Sequence, residues 1–251
     1  MIGRQLTALG NNYTINNRVN YNPTINLSKY VHEVFDFAFG MTFGRSGHHR
    51  LHLTGGQYSR RNGELFINAF QGKLAEFGIW ELFAMNGIHL QKPDLEKWGE
   101  GKWDDSDLKI NGNHLIIKSA SSKGNLLLLE KADWDSDRRY KPNSATNSDK
   151  VDFHLFCRVD PDGKTLFKER KWMYLDEIDK NELYKLIIDI NWSMDCPGYI
   201  SNGDLKYLIA NDFILPQNST LQTWTKIDAS NYYCQAGDLR PIQKLFQFLK
   251  S

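Results

Sequence analysis

Asp105, Asp107 and Lys118 flank a tight turn in the segment DDSDLKINGNHLIIKS, residues 104–119. Its Asn111-Gly112 pair predicts a two-residue hairpin loop, because a type I′ turn needs positive φ at both positions. Ile110 then pairs with Asn113, and the register of both strands follows. Side chains that lie opposite each other in an antiparallel pair share a face of the sheet, as do residues two apart on one strand.

This register sorts the side chains of the hairpin onto two faces. The polar face is formed by Asp105, Asp107, Ile116 and Lys118. The apolar face is formed by Leu108, Ile110 and Leu115. Two carboxylates beside a lysine suit metal-dependent chemistry, since Mg²⁺ prefers hard oxygen ligands. A slip by one residue would separate Asp107 from Lys118. A plain cross-strand salt bridge between the two is the alternative interpretation.

The amino-acid composition is typical of a globular protein. It has 251 residues, of which 41% are hydrophobic and 24% charged, and we expect one domain, 1–251, with a packed core. No apolar stretch reaches the roughly 18 residues of a membrane span, and the N-terminus lacks a secretory h-region. Three widely spaced cysteines indicate a reducing compartment rather than a disulfide framework. We therefore expect a cytoplasmic protein with no membrane partner.

The net charge of +1 conceals local basic stretches. No acid precedes Glu33, and none lies between Phe43 and Asn62. Basic residues of the second stretch and of a later cluster are candidates for DNA contact: Arg45, His48, His49, Arg50, Arg60 and Arg61, then Arg138, Arg139 and Lys141. A solvated surface is the alternative for each stretch. A zinc site at the histidines is disfavoured, because no cysteine pair or acid accompanies them.

Periodicity indicates an α/β fold with a central mixed β-sheet flanked by helices. Gly72–Asn86 is predicted as a buried helix that ends at Gly87, since its apolar side chains are distributed around the whole helix circumference. Strands are expected near residues 105–110, 113–119, 125–129 and 151–159, and further helices near 27–40, 179–190, 203–211 and 241–249. Residues 1–27 are expected to form an irregular N-terminal arm. Turns are expected at Pro197-Gly198 and Asn202-Gly203, and His154 is expected to be a polar residue on a strand surface.

The helix and hairpin motifs resemble the PD-(D/E)xK nuclease superfamily, and the closest similarity is to type II restriction endonucleases of this size. The matching residues fall within about 70–160: Gly72-Lys73-Leu74-Ala75-Glu76, then Asp107, then Leu115-Ile116-Ile117-Lys118-Ser119. The resemblance implies a restriction-endonuclease-like fold and a Mg²⁺-dependent enzyme that cuts double-stranded DNA at a specific sequence. It also implies Glu76, Asp107 and the backbone carbonyl of Ile117 as metal ligands, with Lys118 beside the attacking water.

One position departs from the superfamily pattern, which has an acid two residues before the lysine where this chain has Ile116. Glu76 is the favoured substitute, because a carboxylate in an apolar helix needs a partner. Asp105, on the predicted face of Asp107, is the second candidate, and an inactive site is the third possibility. Three functions therefore stay open: restriction-type cleavage by a homodimer, a repair or junction nuclease that reads DNA shape, and a DNA-binding module without catalysis.

Overall fold

The computed structural model describes residues 3–44, 59–95, 108–135, 137–141 and 151–251. It contains both helices and mixed sheets, which confirms the α/β class. Within these ranges the α-helices are α1 (Val31–Thr42), α2 (Asn62–Met85), α3 (Gly163–Glu169), α4 (Lys180–Ile188), α5 (Asn202–Ala210) and α6 (Ile242–Lys250). The strands are β1 (Thr7–Leu9), β2 (Asn12–Thr14), β3 (Ile25–Asn26), β4 (Leu108–Ile110), β5 (Asn113–Ser121), β6 (Leu126–Glu130), β7 (Phe153–Asp160), β8 (Ser193–Ser201), β9 (Ile214–Leu215), β10 (Thr220–Leu221), β11 (Thr225–Lys226) and β12 (Asn231–Gln235). None of the helices in these ranges has the length and apolar character needed to cross a membrane.

The largest sheet has the strand order β3-β8-β7-β5-β4. β5 and β7 are parallel, whereas the other neighbours are antiparallel. Ile110 pairs with Asn113, and Leu108 with Leu115, so the predicted hairpin register is confirmed. The turn residues Asn111 and Gly112 have φ of 48° and 74°, as a type I′ turn requires.

Side chains alternate along β5 and β7 between two separate apolar cores. Leu115 and Leu155 point to the core that contains α2, α1 and α6. Ile116 and Phe156 point to the opposite core, which contains β6, β12 and α5. The five-stranded sheet is therefore covered on both faces, and each of its residues belongs to one side or the other.

Helix α2 is buried nearly all round, as its apolar wheel predicts, but it begins at Asn62 rather than Gly72. Its added first turns bring Phe66 and Phe70 into the core. Gly63 permits this start, because a Cβ there would lie 1.9 Å from the carbonyl oxygen of Trp172. Gly87 follows the helix with φ of +70°, as predicted.

Two of the predicted turns are wrong. Pro197-Gly198 lies inside β8, at a bulge where Phe156 pairs with Gly198 and Arg158 with Asp195. Proline has no N–H to donate, so a bulge is one of the few places in a sheet that accepts it. Asn202-Gly203 opens α5 instead of forming a turn, because Ser201 caps the helix in a capping box.

The N-terminal residues predicted as an irregular arm contain three short strands, of which β2 and β3 pair with distant parts of the chain. β2 runs parallel to β10 in a four-stranded sheet of order β1-β2-β10-β11, and β3 pairs with β8. A third sheet has the order β6-β12-β9. The fully buried Arg158 anchors the arm: its guanidinium donates to the carbonyls of Val19 (2.7 Å) and Asn20 (3.0 Å) and is paired with Asp195.

Arg158→Leu should lower the free energy of unfolding by about 3–5 kcal/mol, because the buried Asp195 carboxylate loses its ion-pair partner. Arg61→Ala is the matched control, since its pair with Asp176 has side chains 60% and 57% exposed and should contribute at most about 1 kcal/mol. Urea unfolding of both variants measures the difference. Equal losses would contradict the anchoring role of Arg158.

Candidate functional site

Lys118 projects from β5 on the same side as Ile116, away from α2. The confirmed hairpin register places the lysine on the predicted face, but the described part of that face is largely apolar, because Ile116 and Phe156 pack into the second core. Asp105 and Asp107, the acids expected on that face, lie outside the described residues. So do Arg45, His48, His49 and Arg50, and their assignments stay predictions.

Glu76 belongs to the opposite side of the sheet. It lies on α2, and its carboxylate accepts a hydrogen bond of 2.6 Å from Lys73, with side chains only 16% and 12% exposed. The Lys73 ammonium also lies 5.1 Å from the centre of the Phe37 ring on α1. The side chain of Ile117 packs into this same core. The structure thus gives Glu76 a charge partner on the helix and does not bring it to the Lys118 face.

His154 lies on the Lys118 side, paired with Ile116 across β5 and β7. It is fully buried, and both ring nitrogens are without a hydrogen-bond partner in the described ranges. Burial lowers the pKa of this imidazole to about 3, and the positive charge of Lys118 acts in the same direction. The imidazole is therefore uncharged near pH 7. The prediction of a surface residue was wrong, because β7 lies inside the sheet and both of its faces are covered.

An aromatic pair connects this buried histidine to the second basic cluster. The Trp134 ring lies 5.0 Å from the His154 ring and 5.2 Å from the Tyr140 ring, measured between centres. Trp134 and Tyr140 also form a backbone bridge. The Asp135 carboxylate tightens the turn between them by accepting the Arg139 N–H at 2.9 Å. The predicted DNA-contact residues Arg138, Arg139 and Lys141 are thereby attached to the Lys118 side of the sheet.

Arg60 and Arg61 are attached to the other side, at the start of α2. Arg61 donates to the Asp176 carboxylate at 2.9 Å, so an acid from a neighbouring segment offsets part of its charge. The two predicted basic groups consequently differ in their surroundings. The cluster near Tyr140 shares a side with Lys118, and the pair on α2 does not.

A metal site is not assembled by the described residues alone, since they contain no group of three or more His, Cys, Asp or Glu that could hold an ion. The oxygen ligands that the motif predicts, Asp105 and Asp107, fall outside them. No protein-family model, curated protein or solved structure matches the chain. The superfamily resemblance therefore rests on the motifs and their register.

The unfolding free energy should fall as the pH drops from about 6.5 toward 3. In this range the histidine binds a proton in the unfolded chain, whereas folded His154, with a pKa of about 3, stays neutral. His154 contributes at most about 1.4 kcal/mol per pH unit to the slope. His154→Leu should flatten the slope between pH 6 and 4, whereas the exposed His89→Leu should keep it.

The carboxyl group of Asp204 titrates below that window. Burial raises the pKa of Asp204, but hydrogen bonds from Arg240 and Ser201 lower it to about 2, so its contribution is lost only below about pH 4. Urea unfolding at four pH values between 4 and 7 measures the slopes. The same slope in wild type and His154→Leu would disprove the buried neutral histidine.

Proposed function

We propose that this chain is a Mg²⁺-dependent endonuclease of the PD-(D/E)xK type, with a restriction-endonuclease-like fold, that cuts double-stranded DNA at a specific sequence. The observation that carries the proposal is the hairpin register, which keeps Lys118 on the face where the motif requires its acids. The chain acts as a single nuclease domain in the cytoplasm. A homodimer follows from two-fold symmetric target sites.

The roles of the hairpin residues follow from their chemistry. Asp107 would hold the ion, and the carbonyl of Ile117 would add a ligand. Bound Mg²⁺ polarises the scissile phosphate and makes a bound water more acidic. Lys118 stabilises negative charge that develops on the phosphate. Since the neighbouring His154 is uncharged, it neither offsets nor repels that positive charge.

Asp105 is a better candidate than Glu76 for the second carboxylate ligand of the metal. Glu76 is on the α2 side of the sheet and already paired with Lys73. Asp105 is predicted on the same face as Lys118, two residues before Asp107. We therefore revise the assignment that the motif alone favours.

DNA would approach the molecule from the side on which Lys118 and the second core lie. The turn carrying Arg138, Arg139 and Lys141 is fixed there by Trp134 and supplies phosphate contacts. Arg60 and Arg61 are a weaker second contact, because Asp176 is paired with Arg61. A DNA-binding module without catalysis is the second candidate, and it is favoured by Ile116 at the position of an acid.

Cleavage of phage DNA should require Mg²⁺ or Mn²⁺ and fail with Ca²⁺, while binding persists. Lys118→Met, Asp107→Asn and Asp105→Asn should each lower the rate by on the order of 10²-fold or more. Glu76→Gln is the matched carboxylate control and should cut at close to the wild-type rate.

The products distinguish the candidate functions. Discrete bands support the proposal, whereas cutting selective for branched or damaged DNA assigns a repair nuclease instead. Retention of DNA without cleavage assigns the binding module. Loss of cleavage in Glu76→Gln, with normal cleavage in Asp105→Asn, would restore Glu76 as the second ligand.

Neutralising Arg138, Arg139 and Lys141 together with glutamine should weaken DNA binding and flatten its salt dependence. The logarithmic slope should change by about 0.9 for each phosphate that the variant no longer neutralises. The double variant of Arg60 and Arg61 should show a smaller change in both quantities. Fluorescence anisotropy of labelled duplex DNA at four salt concentrations measures them. An unchanged affinity and slope in the triple variant would show that this cluster is only a solvated surface.

A further inference from the structure

The four-stranded sheet β1-β2-β10-β11 carries an exposed aromatic side chain that no part of the described chain covers. Trp224, in the turn between β10 and β11, is 80% exposed. An indole normally buries most of its large apolar area, so Trp224 is a candidate contact residue wherever its surroundings also suit a ligand.

The backbone of this tip is held in place by the N-terminal arm. The Gln222 N–H donates to the carbonyl of Tyr13 at 2.9 Å, and Arg18 donates to the side-chain oxygen of Gln222 at 2.5 Å. Thr223 is held at φ of +114°, which is unfavourable for a β-branched residue. Trp224 therefore projects from a fixed turn and not from a loose loop.

The surroundings of Trp224 suit a polyanion with hydrogen-bonding edges. The sheet segments 7–14 and 219–226 contain no Asp or Glu, and Lys226 and Arg18 add positive charge. Their exposed uncharged polar side chains are Thr7, Asn11, Asn12, Thr14, Thr223 and Thr225. Hydroxyl and amide groups of this kind bond to base edges, and apolar groups contact the thymine methyl group. Leu9 on β1 is also 80% exposed, but a lipid surface would call for a broad apolar face rather than one leucine among threonines and asparagines.

The same sheet lies on the Lys118 side of the molecule. Tyr13 and Leu221 pack against the core that also contains Ile116 and Trp134. A two-stranded ribbon fits the major groove of B-DNA, which is about 12 Å wide. We propose that the β10–β11 ribbon is the base-reading element of this protein, and that Trp224 and the flanking threonines enter the major groove. This inference rests on the proposed DNA-cleaving function.

The experiment begins with the wild-type protein, whose cut sites on phage DNA define a cognate duplex. Its affinity for that duplex and for a scrambled duplex of equal length is then measured in Ca²⁺ by fluorescence anisotropy. Trp224→Ala should reduce the cognate-to-scrambled ratio by about tenfold or more, as expected when a side chain that reads a base is removed. It should leave affinity for the scrambled duplex unchanged. Thr223→Ala with Thr225→Ala should also reduce the ratio.

Tyr174→Ala is the matched control, because Tyr174 is 74% exposed and belongs to a short 3₁₀ helix next to α2, on the other side of the sheet. It should leave the ratio unchanged. Circular dichroism spectra identical to wild type exclude unfolding of the variants as the cause.

Failure of the inference is distinguishable from failure of the proposed function. A wild-type protein that neither cuts nor binds DNA would refute both. A wild type that prefers its site, with the same ratio in Trp224→Ala, would overturn only the ribbon assignment. An equal loss of affinity for both duplexes would show backbone contact and overturn base reading. Binding to phosphatidylglycerol vesicles that disappears in Trp224→Ala, with DNA selectivity intact, would assign the tip to a lipid surface instead.

Discussion

The parallel pairing of β5 with β7 is the constraint on which the rest of the molecule depends. Because side chains alternate along both strands, every residue of this pair faces either the core around α2 or the core around β6 and β12. The hairpin turn at Asn111-Gly112 sets the phase of that alternation. A slip by one residue would move Lys118 into the α2 core and Leu115 out of it, at the cost of a buried charge and an exposed leucine. The apolar residues of β5 therefore fix where its lysine points.

The buried imidazole of His154 is the unusual feature of the second core. Leaving a buried polar group without a hydrogen bond costs about 1–3 kcal/mol, and a partnerless group in a folded protein requires an explanation. Trp134 packs against its ring and closes the face to water. The result is a polar but uncharged group on the same face of the sheet as Lys118. A positive charge on this imidazole would repel the lysine.

Local chemistry was predictable from the sequence, and long-range packing was not. The Asn111-Gly112 turn, the end of α2 at Gly87 and the α/β class follow from signals that act over a few residues. The turn predicted at Pro197-Gly198 was wrong because these residues form a bulge opposite Cys157, which lies on a strand remote in the sequence. The arm looked irregular because its partners, such as Arg158, are equally remote. The position of Glu76 relative to Lys118 depends on which face of the sheet α2 covers, and no spacing in the sequence encodes that.

The N-terminal arm meets β12 in the layer that covers the Lys118 side of the sheet. Gln235 on β12 is fully buried, and its side-chain amide satisfies four groups of the arm: it donates to the carbonyl of Arg4 and the side chain of Asn16, and accepts from the N–H groups of Asn16 and Asn17. Such a fully satisfied buried amide specifies one arrangement of its partners. The arm in turn fixes the β10–β11 tip through Arg18 and Tyr13. The arm, β12 and the β10–β11 tip therefore form one hydrogen-bonded unit on the side of the sheet opposite to α2 and α6.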